Sequence, residues 1–250
     1  LALNYPKTLS AAVAAALKSF KISSPKILVI GLGSGAVPLW LAEQFPESQV
    51  DVVELEATVI SAASEKLGFP IHLPGDPDAT SPLRRKMAKR LKAIEGDGAA
   101  LAESWTKDGA VQRCYDAVLI DAYDALNRVP APLWKDDGPL VKALPSLLQK
   151  RAVLAANVPP GFPTSSMLRS FQGVLGATDS VKGLKPKPPP PALTFEVPET
   201  MNTIAVVLRG MEEVDDPLWR LRGEAQKMVD GQECLIDAVG RLTNCKCRSV

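Results

Sequence analysis

Ile27-Leu-Val-Ile-Gly31-Leu-Gly33-Ser-Gly35 decides the fold: an apolar run of strand composition stops in a glycine-rich loop, and a helical pattern follows at once. Such a turn delivers a nucleotide to a helix N-terminus, because backbone N–H groups must approach the ligand and Cβ atoms would obstruct them. Three more apolar stretches end in carboxylates. They are Val50-Asp-Val-Val-Glu54, the segment closing in Glu95-Gly-Asp97-Gly98, and Tyr115-Asp-Ala-Val-Leu-Ile-Asp121. Glu54 follows Gly35 by 54 − 35 = 19 residues, close to the offset of roughly 20 at which an acid reaches ribose hydroxyls. Gly31, Gly33, Gly35 and Glu54 thus make a nucleoside-binding arrangement, and Asp97, Gly98 and Asp121 put further ligand-grade residues at the strand ends that follow. The loop alone also fits the dinucleotide fingerprint through Gly31-x-Gly33-x-x-Ala36, so the later acids carry the weight.

Outward from the loop, the chain alternates strand and helix. Apolar spacing predicts a helix over 8–20, broken by Ser23-Ser24-Pro25, and a helix after the loop marked by Val37, Leu41 and Phe45. A strand over 50–55 leads to a helix bearing Val59, Ile60, Ala63 and Leu67, with Gly68 as its stop. Residues 69–82 read as a long loop and 83–92 as a basic helical stretch, leading into a short strand that ends near Glu95. Further on we expect helices over 99–105, 140–150 and 163–175, and strands over 115–121 and 151–158. The proline run over 185–191 is a stiff connection. Segments 193–197 and 203–208 then form an antiparallel hairpin, and Leu218, Leu221, Ala225, Met228 and Val229 stripe a last helix. One domain over 1–242 and a frayed tail over 243–250 follow from this pattern.

Composition narrows the function classes. The chain has 250 residues, 46% of them hydrophobic and 23% charged, enough for one sizeable core. A net charge of +1 advertises no nucleic-acid partner. No apolar stretch approaches membrane-spanning length and no signal-peptide pattern opens the chain, so a membrane partner is not expected. Cys114, Cys234, Cys245 and Cys247 form no paired C-x-x-C motifs; free thiols, no metal site and a cytoplasmic location are the expectation. Because residue 1 is Leu, the segment is expected to be cut from something longer.

Alternating βα units closed by a hairpin depart from the plain dinucleotide fold. Leu28-Val-Ile-Gly-Leu-Gly-Ser-Gly, Val52-Val-Glu54-Leu-Glu56, Gly96-Asp97-Gly98 and Tyr115-Asp-Ala-Val-Leu-Ile-Asp121-Ala-Tyr-Asp124 together resemble the spermidine-synthase-like branch of class I methyltransferases. The resemblance covers residues 26–209 and looks strongest toward members that methylate a protein amine. It implies an α/β, Rossmann-like sandwich with a mostly parallel seven-stranded sheet and a C-terminal antiparallel hairpin. S-adenosylmethionine, or its decarboxylated form, is the implied cofactor. A protein with an accessible amine, or a small polyamine, is the implied partner, and a homodimer is compatible with it. Residue by residue, Glu54 would hold the ribose, Asp97 the adenine amino group, and Asp121 would sit at the donor's reactive end. In the aminopropyltransferases of this branch the D-x-x-D pair, here Asp121 and Asp124, holds and deprotonates the acceptor amine. Their glycine loop carries an Asp where this chain has Ser34, which favours methyl over aminopropyl transfer.

Both reactions displace a sulfonium carbon by an amine lone pair, so alignment and a neutral amine matter more than a covalent nucleophile. Asp121 and Asp124 are the candidates for holding the ammonium and passing its proton on, although a strand-end D-x-x-D also caps loops. Tyr123 either lines the acceptor pocket or packs; Asn157 either donates to substrate or caps the turn before Pro159-Pro160. Trp40 and Trp105 fall at apolar helical positions and read as core, and His72, the only histidine, reads as a surface residue. A non-catalytic nucleoside-binding module and a nicotinamide oxidoreductase are the rival readings.

Overall fold

Strands that carry branched apolar residues on both faces need cover on both faces, and here they get it. In this computed structural model the described residues are 4–70, 86–107, 114–178, 188–197, 199–212, 214, 216–229, 240 and 242. Seven strands, β1 (Lys26–Ile30), β2 (Gln49–Glu54), β3 (Leu91–Glu95), β4 (Tyr115–Ile120), β5 (Leu148–Val158), β6 (Ala192–Val197) and β7 (Asn202–Arg209), form one sheet. Its order is β3-β2-β1-β4-β5-β7-β6. The first five strands pair in parallel, and β7 runs antiparallel between β5 and β6. The terminal hairpin therefore inserts its second strand beside β5.

Helices α1 (Asn4–Ser19), α2 (Ala36–Gln44), α3 (Ala57–Leu67) and α7 (Pro217–Val229) cover one face, and α4 (Gly98–Lys107), α5 (Pro139–Leu147) and α6 (Thr164–Thr178) the other. Residues of β4 alternate between the two cores, with Ala117 and Leu119 in one and Val118 and Ile120 in the other. α1 is apolar nearly all round and is correspondingly enclosed from Leu9 to Leu17. Leu218, Leu221, Ala225 and Met228 bury the α7 stripe, Trp40 joins the first core, and Trp105 packs against the second.

The first helix begins at Asn4 rather than at residue 8, and two further boundaries differ from the sequence reading for a tertiary reason. The basic stretch stops being helical before Lys92: strand β3 starts at Leu91, where Arg90 donates to the carbonyls of Ala42 (2.8 Å) and Phe45 (3.1 Å) and accepts from the Val50 N–H. The helix expected to reach Lys150 ends at Leu147, and Leu148, Gln149 and Lys150 already belong to β5. Pro145 removes a donor from that helix, and the fully buried Arg209 of β7 donates to the carbonyls of Pro145 and Leu148. A buried cation needs such acceptors, and helix C-terminal carbonyls are favourable ones. The loop 71–82, His72, the segments 83–85 and 185–187, Cys234, Cys245, Cys247 and the tail 243–250 lie outside the described residues.

Candidate active site

β1 lies between β2 and β4, so the chain leaves in opposite directions on its two sides and a crevice opens past the carboxyl ends of these strands. A cavity of about 600 Å³ occupies that position, lined by Gly33, Glu54, Asp97, Asp121, Tyr123 and Leu133 among others. This is an ordinary size for a small-ligand site.

Gly31 is required by close approach. The Asp121 N–H donates to Ile30 O at 2.8 Å and the Gly31 N–H to Val53 O at 2.8 Å, which stitches the loop between two strands. A Cβ on Gly31, at φ 98°, would stand 2.1 Å from the Asp121 carbonyl oxygen. Gly33 differs: at φ 51° its missing Cβ would meet nothing within 4 Å, leaving the backbone bare toward the cavity. Gly35 does not line the cavity, contrary to its sequence reading. Its Cβ would fall 2.4 Å from the Phe69 ring, so it is a packing glycine on the core side. Gly98 lines the cavity while seating the start of α4 against Ile30, whose Cγ2 would lie 2.6 Å from an added Cβ.

The acids divide their oxygens between fold and cavity. Glu54 accepts from the Leu32 N–H at 2.9 Å through Oε2 and from the Glu56 N–H at 3.1 Å through Oε1. Each oxygen keeps a lone pair for a further donor such as a hydroxyl. Asp97 is the N-cap of α4, its Oδ1 accepting from Ala99 (2.8 Å) and Ala100 (3.1 Å). Asp97→Ala is therefore expected to lose about 1 kcal/mol of stability, seen as a melting temperature lower by roughly 2–4 °C, with a smaller loss of donor affinity than at Glu54. Thermal melts and calorimetry on the same variant separate the two effects.

Asp121 sits where β4 ends, and its Oδ1 accepts from Asn157 Nδ2 at 2.9 Å. Burial pushes its carboxyl above the usual carboxylate range, with the Asn157 bond pulling the other way. Asn157 is fully buried and one of its two amide N–H groups goes to Asp121; among the described residues no bond from its side chain to the turn before the prolines is seen. Tyr123 both lines the cavity and donates to the Asn157 carbonyl at 3.3 Å.

Asp124 resolves the other way. Its Oδ1 accepts from the N–H groups of Leu126 (2.8 Å) and Arg128 (3.0 Å), and its Oδ2 takes two bonds from the Arg128 guanidinium at 3.0 and 2.9 Å. Arg128 holds this carboxyl below its ordinary range. The second acid of the D-x-x-D pair is thus a loop clamp at the cavity rim.

Two residues near Asp121 escaped the sequence reading. Tyr5 of α1 is pushed up to about 12 by burial and by the Asp121 charge. Asn202, first residue of β7, donates to Asn157 Oδ1 at 2.8 Å. Neither lies in a recognisable motif; only the enclosed α1 and the hairpin's insertion beside β5 bring them there.

No family model matches the chain. The eEF1A lysine and N-terminal methyltransferase of Homo sapiens is 28% identical over 95 residues, 38% of this chain and 11% of that protein. The polyamine aminopropyltransferase of Vibrio vulnificus is 29% identical over 149 residues, 59% of this chain and 41% of that one. The chain thus spans less than half the length of these relatives. Its fold is that of the human methyltransferase-like protein 13, solved in complex with SAH: TM-score 0.66 and 20% identity over 98% of this chain and 94% of that one.

Proposed function

We propose that the chain is an S-adenosylmethionine-dependent methyltransferase whose acceptor is an amine of a protein substrate. One observation carries the reading: Glu54, held by the glycine loop's own Leu32 N–H, lines the same cavity as the part-buried, Asn157-bonded Asp121. Similarity to the human protein-amine methyltransferase supports it.

The residues suit the donor. Gly33 leaves backbone bare toward the cavity, Glu54 keeps lone pairs for paired hydroxyls, and Asp97 has an oxygen beyond its two capping bonds. When bound, the donor supplies an electrophilic carbon on a sulfonium. Asp121 then holds the acceptor ammonium by charge-assisted hydrogen bonding and takes up a proton as the lone pair is exposed. Burial helps this step, because a carboxylate lifted above its usual range is a stronger base. An α-amine with pKa about 8 costs at most roughly 1.4 kcal/mol to deprotonate at pH 7, against roughly 4.6 for an alkyl amine near 10.4. One carboxylate is better matched to the easier acceptor.

Aminopropyl transfer is the second reading, favoured by the longer match to the Vibrio enzyme. The state of Asp124 argues against it: with both oxygens engaged by Arg128 and its own loop, it is poorly free to grip a small polyamine. Asp124→Asn is expected to leave turnover within about fivefold of wild type, the scale of an exposed ion pair. A loss as severe as at Asp121 would favour the polyamine reading. The deciding experiment offers labelled donor with a panel of proteins and polyamines and measures affinity for both donor forms. A preference of tenfold or more for the decarboxylated form, about 1.4 kcal/mol, overturns methyl transfer, and no turnover with any acceptor leaves a nucleoside-binding module.

A further inference from the structure

We propose that Asn202, supplied by the C-terminal hairpin, is a positioning residue that sets the direction of a hydrogen-bond relay ending on Asp121 and so holds that carboxylate ready to accept a proton. The proposal rests on the functional reading for its purpose, while the relay stands on geometry alone.

The direction of the relay follows from one group with no choice. The backbone carbonyl of Asn157 can only accept, so the Tyr123 hydroxyl at 3.3 Å must donate to it. That leaves the Tyr123 oxygen as an acceptor, and the Asn202 side chain at 3.4 Å meets it with Nδ2. The same Nδ2 donates to Asn157 Oδ1 at 2.8 Å, which turns the Asn157 amide so that its own Nδ2 faces Asp121 Oδ1 at 2.9 Å. Reversing the Asn202 amide would set its oxygen against Asn157 Oδ1, and reversing the Asn157 amide would set its oxygen against Asp121 Oδ1 unless that carboxyl carried a proton. The relay therefore favours ionised Asp121, and successive amide bonds polarise one another in the same sense.

Topology makes the relay possible. β7 is inserted beside β5, and Asn157 pairs with Ile204, two residues beyond Asn202. Asn157 is fully buried and out of reach of bulk water, so its amide is matched by Asp121 and Asn202. Among the described residues, the titratable groups facing Asp121 are Tyr5 from α1 and Tyr123 from the loop after β4. Burial and the Asp121 charge push both phenols up, so neither of them changes charge near neutral pH.

The test is a ¹³C NMR titration of the Asp121 carboxyl in the whole chain, assigned by its loss in Asp121→Asn. Asn202→Ala is expected to raise the midpoint by about one pH unit, the scale of one buried hydrogen bond. Tyr123→Phe should shift it in the same direction by less, and it keeps the test decisive if Asn202→Ala does not fold. Where turnover is measurable, the acid limb of kcat/KM should move by the same amount while donor affinity stays within about twofold. Such a pH shift is what a merely structural loss would not produce. An unmoved midpoint in a folded variant overturns the relay, whatever happens to kcat. Absence of turnover with every acceptor defeats the functional reading alone, because the titration does not depend on it.

Discussion

Asp121→Asn is expected to lower turnover by roughly 10²-fold or more while leaving donor affinity nearly unchanged, the usual signature of losing a positioned acid-base group. The substitution keeps shape and keeps an oxygen to accept from Asn157 Nδ2. It removes the charge that holds an ammonium and the base that receives its proton. Stability gives an independent check with a definite sign. Because burial raises Asp121 above its unfolded value, the native state holds this proton after the unfolded chain has released it. Stability contributed by this group therefore falls as pH rises from the ordinary carboxylate range through the folded value. Asp121→Asn removes that cost, so its melting temperature at neutral pH should equal or exceed that of wild type. Turnover retained at wild-type level with an acceptor in hand would remove Asp121 from the chemistry.

Glu54→Ala is expected to weaken donor binding by roughly 1.5–3 kcal/mol, or about 10- to 150-fold, since charge-assisted bonds to two hydroxyls disappear. Part of the loss comes through the loop, because the Leu32 and Glu56 N–H groups lose their acceptor as well. Glu54→Gln separates the contributions. It keeps one acceptor oxygen, so it should recover some affinity without recovering the charge-assisted share. Calorimetry on both variants reads the difference, and unchanged affinity in a folded Glu54→Ala protein would refute the ribose assignment.

The helix boundary at Leu147 shows how far local pattern reaches. Leu148, Gln149 and Lys150 suit a helix by composition, and Pro145 was the local warning. Beside Pro145, the end of the helix is held by Arg209, a residue 61 positions away from Leu148 in the chain, which claims the Leu148 carbonyl from inside the sheet. Asp124 is a case of ambiguity at short range: a strand-end D-x-x-D fits a substrate grip or a loop cap equally. Arg128, four residues on, decides for the cap once the backbone turns.

The strand–glycine–helix order, the acids at three further strand ends and the terminal hairpin were determined by the sequence itself, because each rests on chain-local causes: side-chain period, turn stereochemistry and the reach of one βα unit. The roles inside the cavity were decided only by tertiary structure. Gly35 faces Phe69, Asn157 serves Asp121 from 36 positions along the chain, and Asn202 serves Asn157 from 45. Hydrogen bonds between buried side chains have no period and no required spacing. They exist only where strand order brings their donors and acceptors within 3 Å, and that order places β7 beside β5.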